Sequence, residues 1–199
     1  MSYSKLTLAN LQHEFGLTLT ETVGLFATAP PVEPPELLSM ILTDNVPLAI
    51  AIGTEKARSE LIVMPILVAL RKHFHNQISL FSGVEFNVDG DRNLTGVCDF
   101  LLSRSPQQLL IQSPVVALVE AKNDNLKSGL AQCLAEMVAA QVFNARQDTG
   151  INTIYGAVTT GTAWQFLQLQ GQQASIDLDE YSLKTLDQIF GILVGFLAG

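Results

Sequence analysis

The chain has 199 residues, with 11 Lys and Arg against 19 Asp and Glu, for a formal net charge of −8. Its 48% hydrophobic content and mean hydropathy of +0.30 exclude a disordered chain and suit one domain with a sizeable core. The acid excess, with a pI near 4.7, argues against a strong general affinity for nucleic acid, which needs clustered Lys and Arg.

In chain order, residues 5–15 read as a short helix, with Leu6, Leu8, Leu11 and Phe15 to one side. Residues 17–27 are Thr-rich and alternating, open to strand or helix extension. The proline-rich segment 29–35 is a stiff connector, since each proline fixes φ and disfavours helix before it. It divides an N-terminal helical appendage (1–35) from the main domain (36–199), which opens with a helix at 35–43. The strongest helical signal spans 54–75: Thr54 caps its start, and Pro65 predicts a kink or break. Four of the basic residues, Lys56, Arg58, Arg71 and Lys72, fall within it. A strand over 77–89 and a turn at 89–93 follow, then two apolar strands at 94–103 and 115–122. A long helix covers 125–146, with strands at 152–159 and 163–170 across a Gly161 turn and an edge strand at 173–178. The last helix, 182–197, carries Leu183, Leu186, Ile189, Phe190 and Leu193 on one face.

Cys98 and Cys133 fall in an expected strand and a helix interior, which offers no disulfide framework and suits a reducing cytoplasm. Residues 1–5 lack the apolar core of a signal peptide, and the longest apolar runs, 61–70 and 189–199, fall short of the ~20 residues that span a bilayer. The expectation is a soluble cytoplasmic protein without membrane contact. The tail 189–199 is apolar enough either to pack on the sheet or to leave a homodimer interface. Met40, Met64 and Met137 read as core filler and Trp164 as strand packing. His73 and His75, two apart on a helix end, make a poor zinc pair, and no phosphate loop or dinucleotide fingerprint is present.

Charged residues at the ends of the two apolar strands carry the chemistry. Glu120 and Lys122 close the run Val-Val-Ala-Leu-Val and, two apart on a strand, point to the same face. A carboxylate and an ammonium are costly at the end of such a run unless they bind something. If the two runs pair as neighbours, Asp99 joins them, and two carboxylates with a lysine form a hard-cation site. Same-face neighbours at i, i+2 are expected to extend alongside each other more than to pair. On the following helix, Gln132 and Glu136 are i, i+4 neighbours that either line a cleft or face solvent. Glu60, early in the 54–75 helix, reads equally as a helix-surface residue or a site residue. Lys127 stands near a helix start, where a phosphate contact is favourable.

The order helix, three strands, helix, strand, with Asp99, then Glu120-Ala121-Lys122, then a helix carrying Gln132, resembles the PD-(D/E)xK (restriction-endonuclease-like) nuclease superfamily over roughly 54–170. The resemblance implies an α/β fold with a central mixed β-sheet flanked by helices, the αβββαβ core. It implies metal ligation of Mg²⁺ or Mn²⁺ by Asp99, Glu120 and the Ala121 carbonyl, with Glu60 completing the shell, and catalytic roles for Asp99, Glu120, Lys122 and Gln132. It further implies an Mg²⁺-dependent endonuclease, acting on DNA in preference to RNA, that leaves a 5′-phosphate and a 3′-hydroxyl. The alternatives are a catalytically inactive relative whose cleft serves binding or assembly, and a small-molecule-binding α/β protein in which the strand-end charges are incidental.

Overall fold

Seven consecutive buried residues, Val115–Ala121, form the strand around which the sheet is arranged. Its β-branched run needs cover on both faces, and helices supply it. The computed structural model describes residues 2–198. Its strands are β1 (Thr18–Thr22), β2 (Ser79–Glu85), β3 (Val97–Ser103), β4 (Val115–Ala121), β5 (Thr153–Thr159), β6 (Ala163–Gln170), β7 (Gln173–Asp177) and β8 (Tyr181–Ser182). The helices are α1 (Leu8–Phe15), α2 (Glu36–Ile52), α3 (Glu55–Arg58), α4 (Met64–His73), α5 (Lys127–Ala145) and α6 (Leu186–Ala198). The eight-stranded sheet runs β1-β7-β6-β5-β4-β3-β2, with β8 on β6. Strands β2, β3 and β4 pair antiparallel; β4 and β5 are parallel, which requires the crossover that α5 provides.

One core lies between the sheet and α1 and α5, built from residues such as Leu11, Leu118, Leu134, Met137 and Val158. The other lies under α2, α4 and α6, with Ile62, Ile66, Phe100, Val119, Phe166 and Phe190. Ile189, Phe190, Leu193 and Phe196 of α6 are all buried in it, so this helix spends its apolar face on the sheet; Gly199 lies outside the described residues. No helix among the described residues is long and apolar enough to cross a membrane.

The structure differs from the sequence expectations at three places. The helix expected at 35–43 continues to Ile52, through Pro47, and stops at Gly53 in a left-handed conformation (φ +69°). The helix expected at 54–75 is interrupted by a π-helical segment, Ser59–Val63, that ends two residues before Pro65. Proline has no N–H for the carbonyl of Leu61, and the Asn45 side chain replaces it, Nδ2 donating to that oxygen at 2.9 Å.

The third difference is the N-terminal segment. Its strand β1 lies parallel to β7, pairing Thr18 with Gln173, and Leu11, Phe15 and Leu17 join the first core. The connector is pinned too: the Val32 amide donates to the Asp187 carbonyl, and a Cβ on Gly191 would collide with the Pro30 carbonyl. Residues expected as an appendage therefore supply one edge of the sheet.

The entry of β4 is clamped by Asn144, buried in the last turn of α5. Its Oδ1 accepts from the Val115 amide at 2.8 Å and its Nδ2 donates to the Val115 carbonyl at 2.6 Å. Replacing Asn144→Leu leaves two buried backbone groups unpaired, each worth about 1–3 kcal/mol. Urea denaturation should show a loss of ~2–4 kcal/mol; wild-type stability in the variant would show that the clamp contributes nothing to the fold.

Candidate active site

The C-terminal end of β4 and the N-terminal end of β3 bring the charged residues together. One step beyond the Phe100↔Val119 pair, the ladder gives way to a side chain: Asp99 Oδ2 accepts from the Ala121 amide at 2.9 Å. Glu120 is buried to 1% exposure, and its Oε1 receives the Lys122 ammonium at 2.5 Å. The two residues expected to extend alongside each other thus pair directly. The reason lies on α5, where Gly129 lets the helix come close. A Cβ there would stand 2.6 Å from Val158 Cγ1 and 3.2 Å from Lys122 Cε, so the lysine stem runs under the first turn of α5. The Lys122 amide bonds the Thr159 carbonyl at 2.8 Å, fixing the strand end against β5.

Burial dominates the electrostatics. It pushes Glu120 up to about 8, helped by the neighbouring negative charge of Asp99 and opposed by Lys122. Asp99 is also raised by burial, against the pull of the Ala121 amide and of Lys122. For Lys122, burial acts downward, but the bond to Glu120 and the fields of Glu120, Glu55 and Asp99 outweigh it and leave the ammonium more firmly protonated. One oxygen of the pair, Glu120 Oε2, is buried with no hydrogen-bond partner.

Asp99 and Ala121 line a cleft of about 250 Å³ whose opposite wall is Glu55, Lys56, Ser59 and Glu60, with Ser82 and Gly83 beside them. Glu60 stands on the rim and pairs with Lys56 at 2.6 Å; both side chains are exposed, at 60% and 79%. Glu55, not singled out by the sequence, is the acid of this helix whose field reaches Glu120 and Lys122. Its signal was local: Thr54 caps the helix, its Oγ1 accepting from Ala57 at 3.1 Å, which makes Glu55 the first helical residue. Arg58 is engaged elsewhere, donating to the Thr160 carbonyl.

Gln132 does not line this cleft. It borders a separate cavity of about 190 Å³ with Ser2, Tyr3, Ser4, Gly96 and Val97. Its Nε2 donates to Glu136 Oε1 at 3.2 Å, and Glu136 is fully buried with its Oε2 unpartnered. Burial and the nearby charge of Glu120 raise Glu136 well above the carboxylate range, while the Gln132 amide and the Cys98 thiol pull the other way.

Among the described residues, no three His, Cys, Asp or Glu side chains converge into a ready-made metal cage. Asp99 and Glu120 supply two hard carboxylates, one with an orphaned oxygen. This suits Mg²⁺, which is commonly held by one or two carboxylates together with waters and substrate oxygens. No family model matches the chain, and no curated protein or solved structure matches it.

The raised carboxyls set a pH dependence. A carboxyl whose folded value lies above its unfolded value stabilises fully below the unfolded range near 4.5, and that contribution is lost as pH rises through the folded value, about 8 for Glu120. The melting temperature of the metal-free protein should fall between pH 5 and pH 9. Glu136→Gln, which cannot ionise, should match wild type at pH 5 and exceed it at pH 8.5 by roughly 2–4 °C for each kcal/mol of relieved burial. Parallel pH profiles for the two proteins would mean that Glu136 is not held against ionisation.

Proposed function

We propose that this protein is a metal-dependent phosphodiester hydrolase of restriction-endonuclease-like type, acting on DNA. The reading is carried by one observation: Asp99 and the Glu120–Lys122 pair, from adjoining strands, converge at one end of the sheet, with Asp99 open to a cleft. The run α4, β2, β3, β4, α5, β5, with β2–β4 antiparallel and β5 parallel to β4, supports the αβββαβ reading.

In this account Asp99 and Glu120, with the Ala121 carbonyl, hold Mg²⁺ or Mn²⁺, which when bound supplies charge neutralisation at phosphorus and activates water. Lys122 is held as an ammonium by its carboxylate neighbours, which suits it to orienting a nucleophile and steadying developing charge rather than to accepting a proton. The Ala121 amide fixes the Asp99 carboxylate, leaving its second oxygen for a ligand. Lys56 on the facing wall gives the cleft its cation for a phosphate backbone, beside the acids Glu55 and Glu60.

One observation favours a second reading. Glu120 is sealed from solvent, and a carboxylate at 1% exposure, already paired with Lys122, suits a non-catalytic relative whose cleft serves binding or assembly.

Incubation with plasmid, linear and single-stranded DNA in Mg²⁺ or Mn²⁺ tests the enzyme. Asp99→Ala and Lys122→Ala should each lower the rate ~10²-fold or more. Identical behaviour of wild type and both variants would remove catalysis from this site. Calorimetric titration with Mn²⁺ separates the two readings: the enzyme binds the ion and loses it in Glu120→Gln, whereas the inactive module binds none.

A further inference from the structure

Two exposed features are left over from the packing: the aliphatic face of α2, where Met40, expected as core filler, stands at 62%, and the border of the sheet at β2. The second adjoins the charged site and bears on its substrate. The cleft at Asp99 is closed on one side and open on the other. Toward β5, Arg58 reaches from the helical wall to the Thr160 carbonyl, its Nη1 donating at 3.0 Å. Ile62 packs against Gly161 of the β5–β6 turn, within 3.3 Å of where a Cβ would stand. Helical wall and sheet are therefore joined at that end. Toward β2 the cleft ends at Ser82 and Gly83, both exposed, on the last strand of the sheet.

Gly83 is where β2 departs from regular strand geometry. Its φ is +61°, a left-handed value that favours glycine, although the strand continues on both sides. The β2–β3 register runs Ser82↔Phe100 and Val84↔Cys98, and the position skipped between them sets Gly83 opposite Asp99. The ladder is thus broken beside the acid that opens to the cleft. A glycine inside a strand commonly marks the close approach of a ligand or of another backbone. No backbone approaches here, since a Cβ on Gly83 would meet no described atom within 4 Å. Earlier on the same border, at Leu80, the Gln108 side chain covers the strand. Its Oε1 accepts from the Leu80 amide at 3.2 Å and its Nε2 donates to the Leu80 carbonyl at 2.6 Å. That cover stops short of the cleft.

Charge points the same way. The wall facing Asp99 carries Glu55 and Glu60, which repel a polyanion. The Ser82–Gly83 lip carries no charge and offers the Ser82 hydroxyl, a donor of the kind that phosphate oxygens take. The cleft volume of about 250 Å³ is small even for a small-molecule pocket, so one strand enters rather than a duplex. We propose that the Ser82–Gly83 lip is the path by which a single nucleic-acid strand crosses into the cleft, its phosphates passing over Gly83 toward Asp99. Gly83 is then a specificity-determining residue of the site. The inference rests on the hydrolase reading for the kind of ligand, but not on catalysis itself.

Asparagine and aspartate both tolerate a left-handed φ, so Gly83→Asn and Gly83→Asp add nearly the same volume and differ by one charge. Binding is read on the full chain by fluorescence anisotropy of a fluorescein-labelled single-stranded DNA oligonucleotide, with Ca²⁺ as the hard cation in place of Mg²⁺. Gly83→Asp should bind ~5-fold more weakly than Gly83→Asn at low ionic strength, the ratio shrinking toward one near ~1 M salt. Leu109→Asp places the same charge on the loop at the far end of β3 and β4, where Leu109 is 91% exposed, and should match wild type. In the cleavage assay the difference between the two Gly83 variants should fall on KM, with kcat within ~2-fold. The path is overturned by equal affinities of the two Gly83 variants, by a loss in Leu109→Asp as large as in Gly83→Asp, by a blunt duplex bound as tightly as the single strand, or by a wild type that binds neither. A wild type that binds with the expected differences yet cleaves nothing supports the path and removes the hydrolase reading instead.

Discussion

A salt bridge between Glu120 and Lys122, enclosed where β4 runs out under α5, is the constraint on which the site depends. Such a pair gains Coulomb energy in a poorly polarisable surrounding but loses hydration on both partners, and an apolar pair of similar volume often serves stability as well or better. Here the balance is worse, because Glu120 keeps an oxygen with no partner, and Glu136, also buried, does the same behind it. Three carboxyls raised by burial at one sheet end are a liability for stability, and such groups concentrate where chemistry or ligand binding requires them.

The surrounding architecture holds this arrangement rigidly. Asn144 fixes where β4 begins, the Asp99 carboxylate fixes how it separates from β3, and the close pass of Gly129 fixes where Lys122 lies. Each is a specific short contact on a rigid element, so the charged end of the sheet has little freedom to rearrange. The cleft beside it is walled by α3 and the π segment, which Arg58 ties to the Thr160 carbonyl.

The strands β3 and β4 were legible because a period of two and an unbroken apolar run are local properties; the nearness of Asp99 to Glu120 and Lys122 was conditional on the two runs pairing, a condition the β3–β4 ladder meets. The fate of Glu60 and Glu55 was not. Spacing alone left Glu60 open between surface and site, and packing decides it: Glu60 stands on the cleft rim in an exposed i, i+4 pair with Lys56, while Glu55, one turn earlier, acts toward Glu120 and Lys122. Pro65 announced a break, but the identity of the group that would replace its missing N–H, Asn45, lay in another helix. Gln132 and Glu136 share a face as i, i+4 neighbours, yet which way that face turns depends on packing against the sheet. The integration of β1 was equally hidden, because alternation marks a strand without naming its partner.

That partnership orders events during synthesis. Thr18 precedes every other strand of the sheet in sequence, whereas Gln173, against which it lies, follows only after β6. Until then β1 has no neighbour, and the ribosome holds a nascent sheet with one border still open. Non-local closures of this kind come late and slow the approach to the native state. Closing this edge joins segments far apart in sequence, and a chain lacking β7 leaves β1 unpaired along the sheet border.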